Sequence, residues 1–519
     1  MMQNALYALP NPSYERFTWT LQDEHNPASH TPLIASARPV VGAREEQSPD
    51  EPPSSLNING FTYTREPANS GGTTSPFGPI VAPEQPEDLT KWRYEWLPEV
   101  EKLATLLEGF DAATVPAGTW AEVLDGQDRE YRRVFGGVHR SAVGPARMAV
   151  TRFAEEYLKR FGEHRRTDAM ALLQGFPNCS LERSSALWDL SRVLRTDDSF
   201  QSLIDSEVSL PDTPAARMFQ EGFYALIRDF GCTTNNGLQD LPTWREGSPI
   251  PFEMIRAYVT QDDSKSPRGA TLRQAHRRLE LEAELRNTSI NYPDTSNLVL
   301  LMEIAQHLIP NLEDHNLLCD QRCVAASRVR WLTIGAHLQK QNAVSVADDV
   351  FFYRRSELID TLEGGSVVSS NEVEQRRLLQ EQFRATPPPL YLGLPPEIPT
   401  STDEIPLEGN VQRLVRGIAA SHGSHRGRAR VIQSLEEASS LQPSDVLVVR
   451  SLTPPWTPYL GVIGAIVTNS GGELSHGAVV AREFGIPAVV GTINGTDLIR
   501  DGAIVAVDGT AGIVVIETQ

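Results

Sequence analysis

The feature that most constrains this chain is residues 468–491, where a short apolar strand breaks at Ser470-Gly471-Gly472 and a helix then opens on a histidine, His476. Apolar residues 464–468 predict a buried strand, Ser475 stands where a helix cap belongs, and Gly485 and Pro487 stop the helix after Phe484. The order puts an imidazole at a helix N-terminus. Unpaired amides and the positive end of the helix dipole attract phosphate there, and glycine lets a bulky anion approach the backbone. An imidazole so placed can attack phosphorus through one ring nitrogen, which makes His476 a candidate phosphoryl carrier; the ordinary alternative is a capping or packed histidine. Gly472 and Ser475 read as the phosphate cradle, a role that coexists with plain helix capping.

The run Gly471-Gly-Glu-Leu-Ser-His-Gly-Ala-Val-Val-Ala-Arg-Glu483, followed by Gly485-Ile-Pro-Ala-Val-Val-Gly491, closely resembles the phosphohistidine signature of the swivelling mobile domain of phosphoenolpyruvate-utilising enzymes. That domain occurs in phosphoenolpyruvate synthase, pyruvate phosphate dikinase and rifampin phosphotransferase. The resemblance implies that His476 is phosphorylated in the catalytic cycle. Leu474 stands where the pyruvate dikinases have Thr, and Gly477 where Ala is usual, so the threonine switch of plant dikinases is not expected. Thr453-Pro-Pro-Trp-Thr-Pro458 resembles the same domain's phosphate-side loop. Thr453 is thus a candidate to orient His476 or touch phosphoryl oxygens, with simple turn formation as the alternative. Arg482 is assigned a salt bridge to Glu483 or to a neighbouring domain rather than to phosphate.

A chain of 519 residues has room for two to four domains, and its net charge of −20 argues against nucleic acid or an anionic membrane surface as partner. No apolar run approaches the roughly 20 residues that span a bilayer. The first ten residues lack signal-peptide character, and a cytoplasmic location is expected. Cys179, Cys232, Cys319 and Cys323 are too few for a disulfide framework. Cys319 and Cys323 lack two further zinc ligands and read as ordinary thiols, so no metal site is assigned.

The pattern predicts a multidomain chain, mostly α-helical and then built of strands, and the resemblance implies that these are a mostly α-helical acceptor-binding domain and a C-terminal swivelling β/β/α phosphohistidine domain. Residues 1–90, rich in Pro, Ser, Asn and Gly, are expected as an irregular segment packed on the acceptor domain. Within it, Phe17, Trp19, Asp23, His25 and Pro32-Leu33 resemble the start of the acceptor domain of rifampin phosphotransferase-like proteins, and residues 59–63 a short strand that follows. Residues 91–370 show helical periodicity, clearest over 92–107, 146–161, 184–194, 214–230, 271–286 and 324–340. Four phrases there resemble the same family, among them Leu172-Leu-Gln-Gly-Phe-Pro-Asn178 and Arg330-Trp-Leu-Thr-Ile-Gly335. Residues 371–409, with Pro387-Pro-Pro389, read as a hinge, and 410–519 as strands and glycine turns ending in a hairpin at Asp508-Gly509.

No Gly-x-x-x-x-Gly-Lys-Ser/Thr loop occurs, and the first 90 residues are too few for an ATP-binding domain, so the resemblance, in which the histidine is loaded from ATP, implies a separate ATP-grasp-like subunit carrying ATP and Mg²⁺. The 43 residues after His476 fall far short of the roughly 250 of a pyruvate-binding barrel. The split arrangement resembles phenylphosphate synthase and 4-methylbenzyl phosphate synthase, which implies ATP and an organic hydroxyl giving AMP, inorganic phosphate and a phosphate ester. A phenolic or cresol-type acceptor is the first reading, an antibiotic or secondary metabolite the second, and a non-catalytic phosphocarrier scaffold the third. Trp188, Phe223, Tyr224 and Trp244 suit an aromatic pocket. On the acceptor side Glu313-Asp314-His315 ahead of Asp320 is the most polar cluster, with His315 the candidate base, Asp314 beside it, and His139 and His25 as rivals; each has an ordinary structural alternative. Arg330 is a candidate phosphoryl-binding group, with surface solvation as its alternative.

Overall fold

The computed structural model describes residues 92–196, 213–234, 239–291, 296–385, 411–433 and 435–517, together with the backbone of four strands outside those ranges. These four are β1 (Thr18–Leu21), β2 (Ser55–Ile58), β3 (Phe61–Arg65) and β4 (Tyr391–Gly393), an antiparallel sheet in the order β2-β3-β1-β4. The segment expected to be irregular therefore contributes three paired strands, and residues 391–393 of the expected hinge supply the fourth. The strand Phe61–Arg65, with its alternating threonines and apolar residues, matches the short strand expected at 59–63, whereas β1 and β2 were not expected from the Pro and Ser content of the segment. His25 lies outside the described residues.

Between residues 92 and 385 the described residues are mostly helical, and local chemistry sets the helix ends. Pro214–Phe230 starts where the Thr213 hydroxyl accepts from the Ala216 amide at 3.1 Å, with proline in the first turn. Cys179–Leu194 begins at Cys179 rather than 184 because the Asn178 side chain caps the Leu181 amide at 3.0 Å. The other predicted spans appear as Leu97–Glu108, Gly144–Phe161, Pro267–Asn291 and Arg322–Lys340. Among the described residues, three π-helical turns interrupt this regularity: Trp92–Trp96, His139–Val143 and Asn316–Gln321.

The expected hinge begins with a further helix, Ser370–Ala385. Its Glu, Gln, Leu and Arg content favours helix, and Arg376 anchors it to the Phe352 carbonyl at 2.8 Å and to Glu357 at 2.7 and 2.9 Å. The prolines at 387–389 lie outside the described residues.

The C-terminal unit is one eight-stranded sheet built from β5 (Val411–Arg416), β6 (Ile418–Ser421), β7 (Ser424–Val431), β8 (Val446–Val449), β9 (Ala465–Thr468), β10 (Ala488–Val490), β11 (Ile504–Asp508) and β12 (Ile513–Glu517). Its order is β5-β12-β11-β7-β8-β9-β10-β6, with the β7-β8-β9-β10 pairings parallel. The parallel strands are covered on both faces, which is why they read as unbroken apolar runs. Val446, Val448, Ala465 and Val467 pack in one core, while Leu447, Val449 and Ile466 face another. That second core continues into the helical lobe, where Trp188 and Tyr258 share it with Trp456, Tyr459 and Leu460. The two units thus meet across apolar packing. No helix among the described residues is long and apolar enough to cross a membrane.

Gly335, in the Arg330–Gly335 phrase, shows how tightly the helical lobe is closed. A Cβ added there would stand 2.0 Å from the Ala347 carbonyl oxygen. Gly335→Ala should therefore cost about 2–3 kcal/mol of stability by overpacking against backbone that cannot yield cheaply, read as a lower denaturation midpoint at unchanged slope.

Candidate functional site

His476 opens the helix His476–Phe484, which Gly485 ends in the left-handed conformation (φ 68°) as expected. Ser475 occupies the cap position, but its hydroxyl donates to the Gly472 carbonyl at 2.8 Å instead of capping a helix amide. The preceding turn depends on Gly471 (φ 110°), whose added Cβ would also press on the Ser475 hydroxyl at 2.9 Å.

The imidazole of His476 lies between the two lobes, about one-tenth exposed. Its Nε2 is 2.9 Å from the Thr457 hydroxyl, and its Nδ1 is 2.8 Å from Glu313 Oε2 on the short helix Asn311–His315. The Nδ1 contact is at ion-pair distance without the alignment of a hydrogen bond, as is common at sites that tighten only when substrate is bound. Glu313 is buried and its Oε2 also accepts from the Ser180 hydroxyl at 3.0 Å. An ionised carboxylate can only accept, so this geometry assigns the proton to Nδ1 and the lone pair to Nε2. Arg183 supplies positive charge nearby: fully buried, it donates to the Pro454 carbonyl, and its Nε has no partner. Burial pulls its pKa down to about 10 against the opposing pull of neighbours that include Glu313.

The other residues singled out from sequence fall elsewhere. Asp314 accepts from the Cys179 amide at 2.9 Å and pairs with Arg93 at 3.0 Å, and burial raises its pKa. His315 and His139 come together, ring centroids 5.2 Å apart, beside Asp320. Thr453 is buried with its hydroxyl unpartnered; Thr457, four residues on, is the threonine of that loop that reaches His476. Arg330 is not solvated: it is buried against Asp128 at 3.2 Å and stacks on Trp331. Arg482 donates to the Ala420 and Glu473 carbonyls at 2.8 and 2.9 Å, in place of the salt bridge expected for it, because full burial of a guanidinium demands fixed acceptors. Trp188 and Trp244 are core residues, Phe223 stacks on Phe252, and Tyr224 faces solvent, so they do not form the expected shared lining. A cleft of about 240 Å³ opens at the far end of the His476 helix, among His425, Ser444, Gly464 and Pro487.

Polar contacts also hold the lobes together. Arg166 pairs with Glu473 at 3.1 Å, and the buried Glu483 carboxylate accepts from the Gly175 amide at 3.0 and 3.2 Å. Burial pushes the Glu483 pKa up to about 8, with Glu313 reinforcing the shift and the Gly175 amide, Arg482 and Arg278 opposing it. A carboxyl whose pKa is raised on docking favours the docked form at low pH and loses that advantage as pH climbs from the ordinary glutamate range toward 8. The melting temperature of Glu483→Gln minus that of wild type should therefore rise steadily between pH 5 and 8; a flat difference would remove Glu483 from the account.

Residues 441–512 match the mobile domain of PEP-utilising enzymes, and residues 139–311 match the fourth domain of rifampicin phosphotransferase. Residues 441–512 are a PEP-utilising enzyme mobile domain. The mobile domain carries His476 at the head of the helix, and the helical lobe presents Glu313. Among curated relatives, chondramide synthase cmdD of Chondromyces crocatus is 32% identical over 460 residues, covering 82% of this chain and 12% of that protein. The uncharacterized phosphotransferase YvkC of Bacillus subtilis is 27% identical over 396 residues, 72% of this chain and 46% of the relative. Rifampicin phosphotransferase of Bacillus cereus is 37% identical over 182 residues, 34% of this chain and 20% of the relative. The chain thus spans less than half the length of each of these relatives.

Sequence reasoning located the Glu313-Asp314-His315 cluster but not which member reaches His476. Successive helical residues point about 100° apart, so only one of three neighbours faces the other lobe, and composition does not reveal which. Thr457 and Arg183 likewise carry no local signal that tells which way they face, and Glu483, expected only as a partner for Arg482, instead meets the Gly175 amide.

Proposed function

We propose that the chain is a phosphotransferase component that carries a phosphoryl group on His476 Nε2 and delivers it to an organic hydroxyl at the helical lobe. The observation that carries this reading is the pairing of His476 Nδ1 with the buried Glu313 carboxylate of the opposite lobe at 2.8 Å. With phosphorus on Nε2 and a proton kept on Nδ1, the ring is an imidazolium, and attack by the acceptor oxygen releases it as neutral imidazole. The N–P bond breaks as the O–P bond forms, and the hydroxyl proton passes to solvent or a base. Thr457, now on Nε2, would turn to a phosphoryl oxygen, and Arg183 would balance the added charge.

The phosphoryl group comes from ATP with Mg²⁺ at a separate ATP-grasp-like subunit, in a cycle that turns ATP, water and the acceptor into AMP, inorganic phosphate and the ester. A cytoplasmic enzyme acting on a phenol or cresol fits the sequence resemblance. A secondary-metabolite acceptor is the second reading, favoured by relatives named for rifampicin, chondramide and prodigiosin.

The test is to load the protein from labelled ATP with an ATP-grasp partner, map the acid-labile label by mass spectrometry, and chase it with phenol, cresols and a rifamycin. Label on His476 that moves to one acceptor class supports the proposal and chooses between the readings. Label that no acceptor removes leaves a phosphocarrier scaffold, and label elsewhere overturns the reading.

A further inference from the structure

The two π-helical turns at His139–Val143 and Asn316–Gln321 lie against the same spot, and the side chains they gather there have no part in the phosphoryl-transfer reading. His139, His315 and Asp320 each direct one donor atom to it, and the three atoms all lie within 4.8 Å of one another. His139 Nε2 is 3.5 Å from Asp320 Oδ1, and His315 Nε2 is 3.8 Å from Asp320 Oδ2.

Each imidazole is oriented from behind in the same way. His139 Nδ1 is 2.8 Å from the Phe135 carbonyl and His315 Nδ1 is 2.8 Å from the Asn311 carbonyl, four residues back in both cases. A backbone carbonyl only accepts, so both Nδ1 atoms carry the proton and both Nε2 atoms present lone pairs toward the carboxylate. Fixing the ligand tautomer by a hydrogen bond from the other ring nitrogen is the usual support for metal-bound histidine.

The helix geometry points the same way. Residues five apart on an α-helix are about 140° apart around the axis, so His315 and Asp320 would not share a face. The π turn that follows His315 wraps Asp320 back beneath the ring. Such turns are rare and recur at functional sites. Asp320 Oδ1 is buried and makes no hydrogen bond.

We propose that His139 Nε2, His315 Nε2 and Asp320 bind a divalent transition-metal ion of the zinc type. Ligand atoms around a tetrahedral zinc at about 2.0–2.2 Å are roughly 3.4 Å apart, so the observed spacing closes by only a few tenths of an ångström for the two histidine–carboxylate pairs. Two histidines and one carboxylate leave a coordination position open to water or an incoming ligand. The ion would tie the His139 turn to the 311–321 segment and so fix Glu313, two residues from His315, in its place opposite His476. The site stands on the helical lobe alone and does not depend on the carrier reading.

The experiment strips the full chain with a chelator, then titrates it with Zn²⁺ by calorimetry and with Co²⁺ by visible absorption. One equivalent should bind, with Co²⁺ ligand-field bands of low coordination number. His139→Gln and Asp320→Asn should each weaken binding at least about a hundredfold while keeping the wild-type far-UV spectrum. Cys319 and Cys323 are buried close by, so Cys319→Ser/Cys323→Ser serves as the competing arm and should bind as wild type does. Binding that survives His139→Gln but is lost with the thiols overturns the proposal, as does a chelated wild-type chain that takes up no stoichiometric ion.

Discussion

With His476 replaced by alanine, the chain should accept no acid-labile phosphoryl group, and ester formation should fall about 10⁶-fold, to background, the scale on which removing a covalent nucleophile is felt. Neither His139 nor His315 stands ready to substitute, since each holds a backbone carbonyl through Nδ1 and faces Asp320 through Nε2. The variant should still fold. The His476 ring contributes two polar contacts at the lobe boundary, whereas the helix it opens is held by Ala478, Val480 and Ala481 in the shared core. Circular dichroism and a melting curve separate loss of chemistry from loss of structure. A folded His476→Ala protein that still takes up label from ATP would remove the ring from the mechanism.

The mobile domain was legible in the sequence because its signals are local. A strand, a glycine break, a helix start and a left-handed glycine stop are consecutive in residues 465–485, and each is set by the residues at that position. The helical lobe was legible as periodicity, which gave its helical class and six of its helices, but not ends that depend on caps such as Asn178, nor helices such as Trp120–Val138 and Ser370–Ala385. What sequence could not show was anything that needs two distant segments at once. Glu313 meets His476, Gly175 meets Glu483, and Tyr391–Gly393 pairs with Thr18–Leu21 across separations of more than a hundred residues. The π turns were hidden for another reason: a one-residue insertion in a helix leaves the apolar pattern nearly intact while rotating His139, His315 and Asp320 onto one spot.

The Glu313 carboxylate makes a prediction that separates the two halves of the cycle. Glu313 belongs to the helical lobe and cannot travel with His476, so it acts only in the docked arrangement described above. On the proposed reading it holds a proton there on Nδ1 and offsets the positive charge of a ring phosphorylated at Nε2, which keeps the leaving group a neutral imidazole. Glutamine preserves the shape and still offers an oxygen to the Ser180 hydroxyl, but it carries no charge. The phosphorylated ring then sheds its Nδ1 proton more readily, and transfer must expel a far more basic imidazolate. Glu313→Gln should therefore slow delivery to the acceptor by about 10²–10⁴-fold, the usual range for losing a proton-holding group, while His476 is loaded from ATP at the wild-type rate. A single-turnover chase of preloaded protein measures the first, and label uptake without acceptor measures the second. A merely structural role would depress both together, and an unchanged chase would mean that Glu313 only holds the lobes in contact.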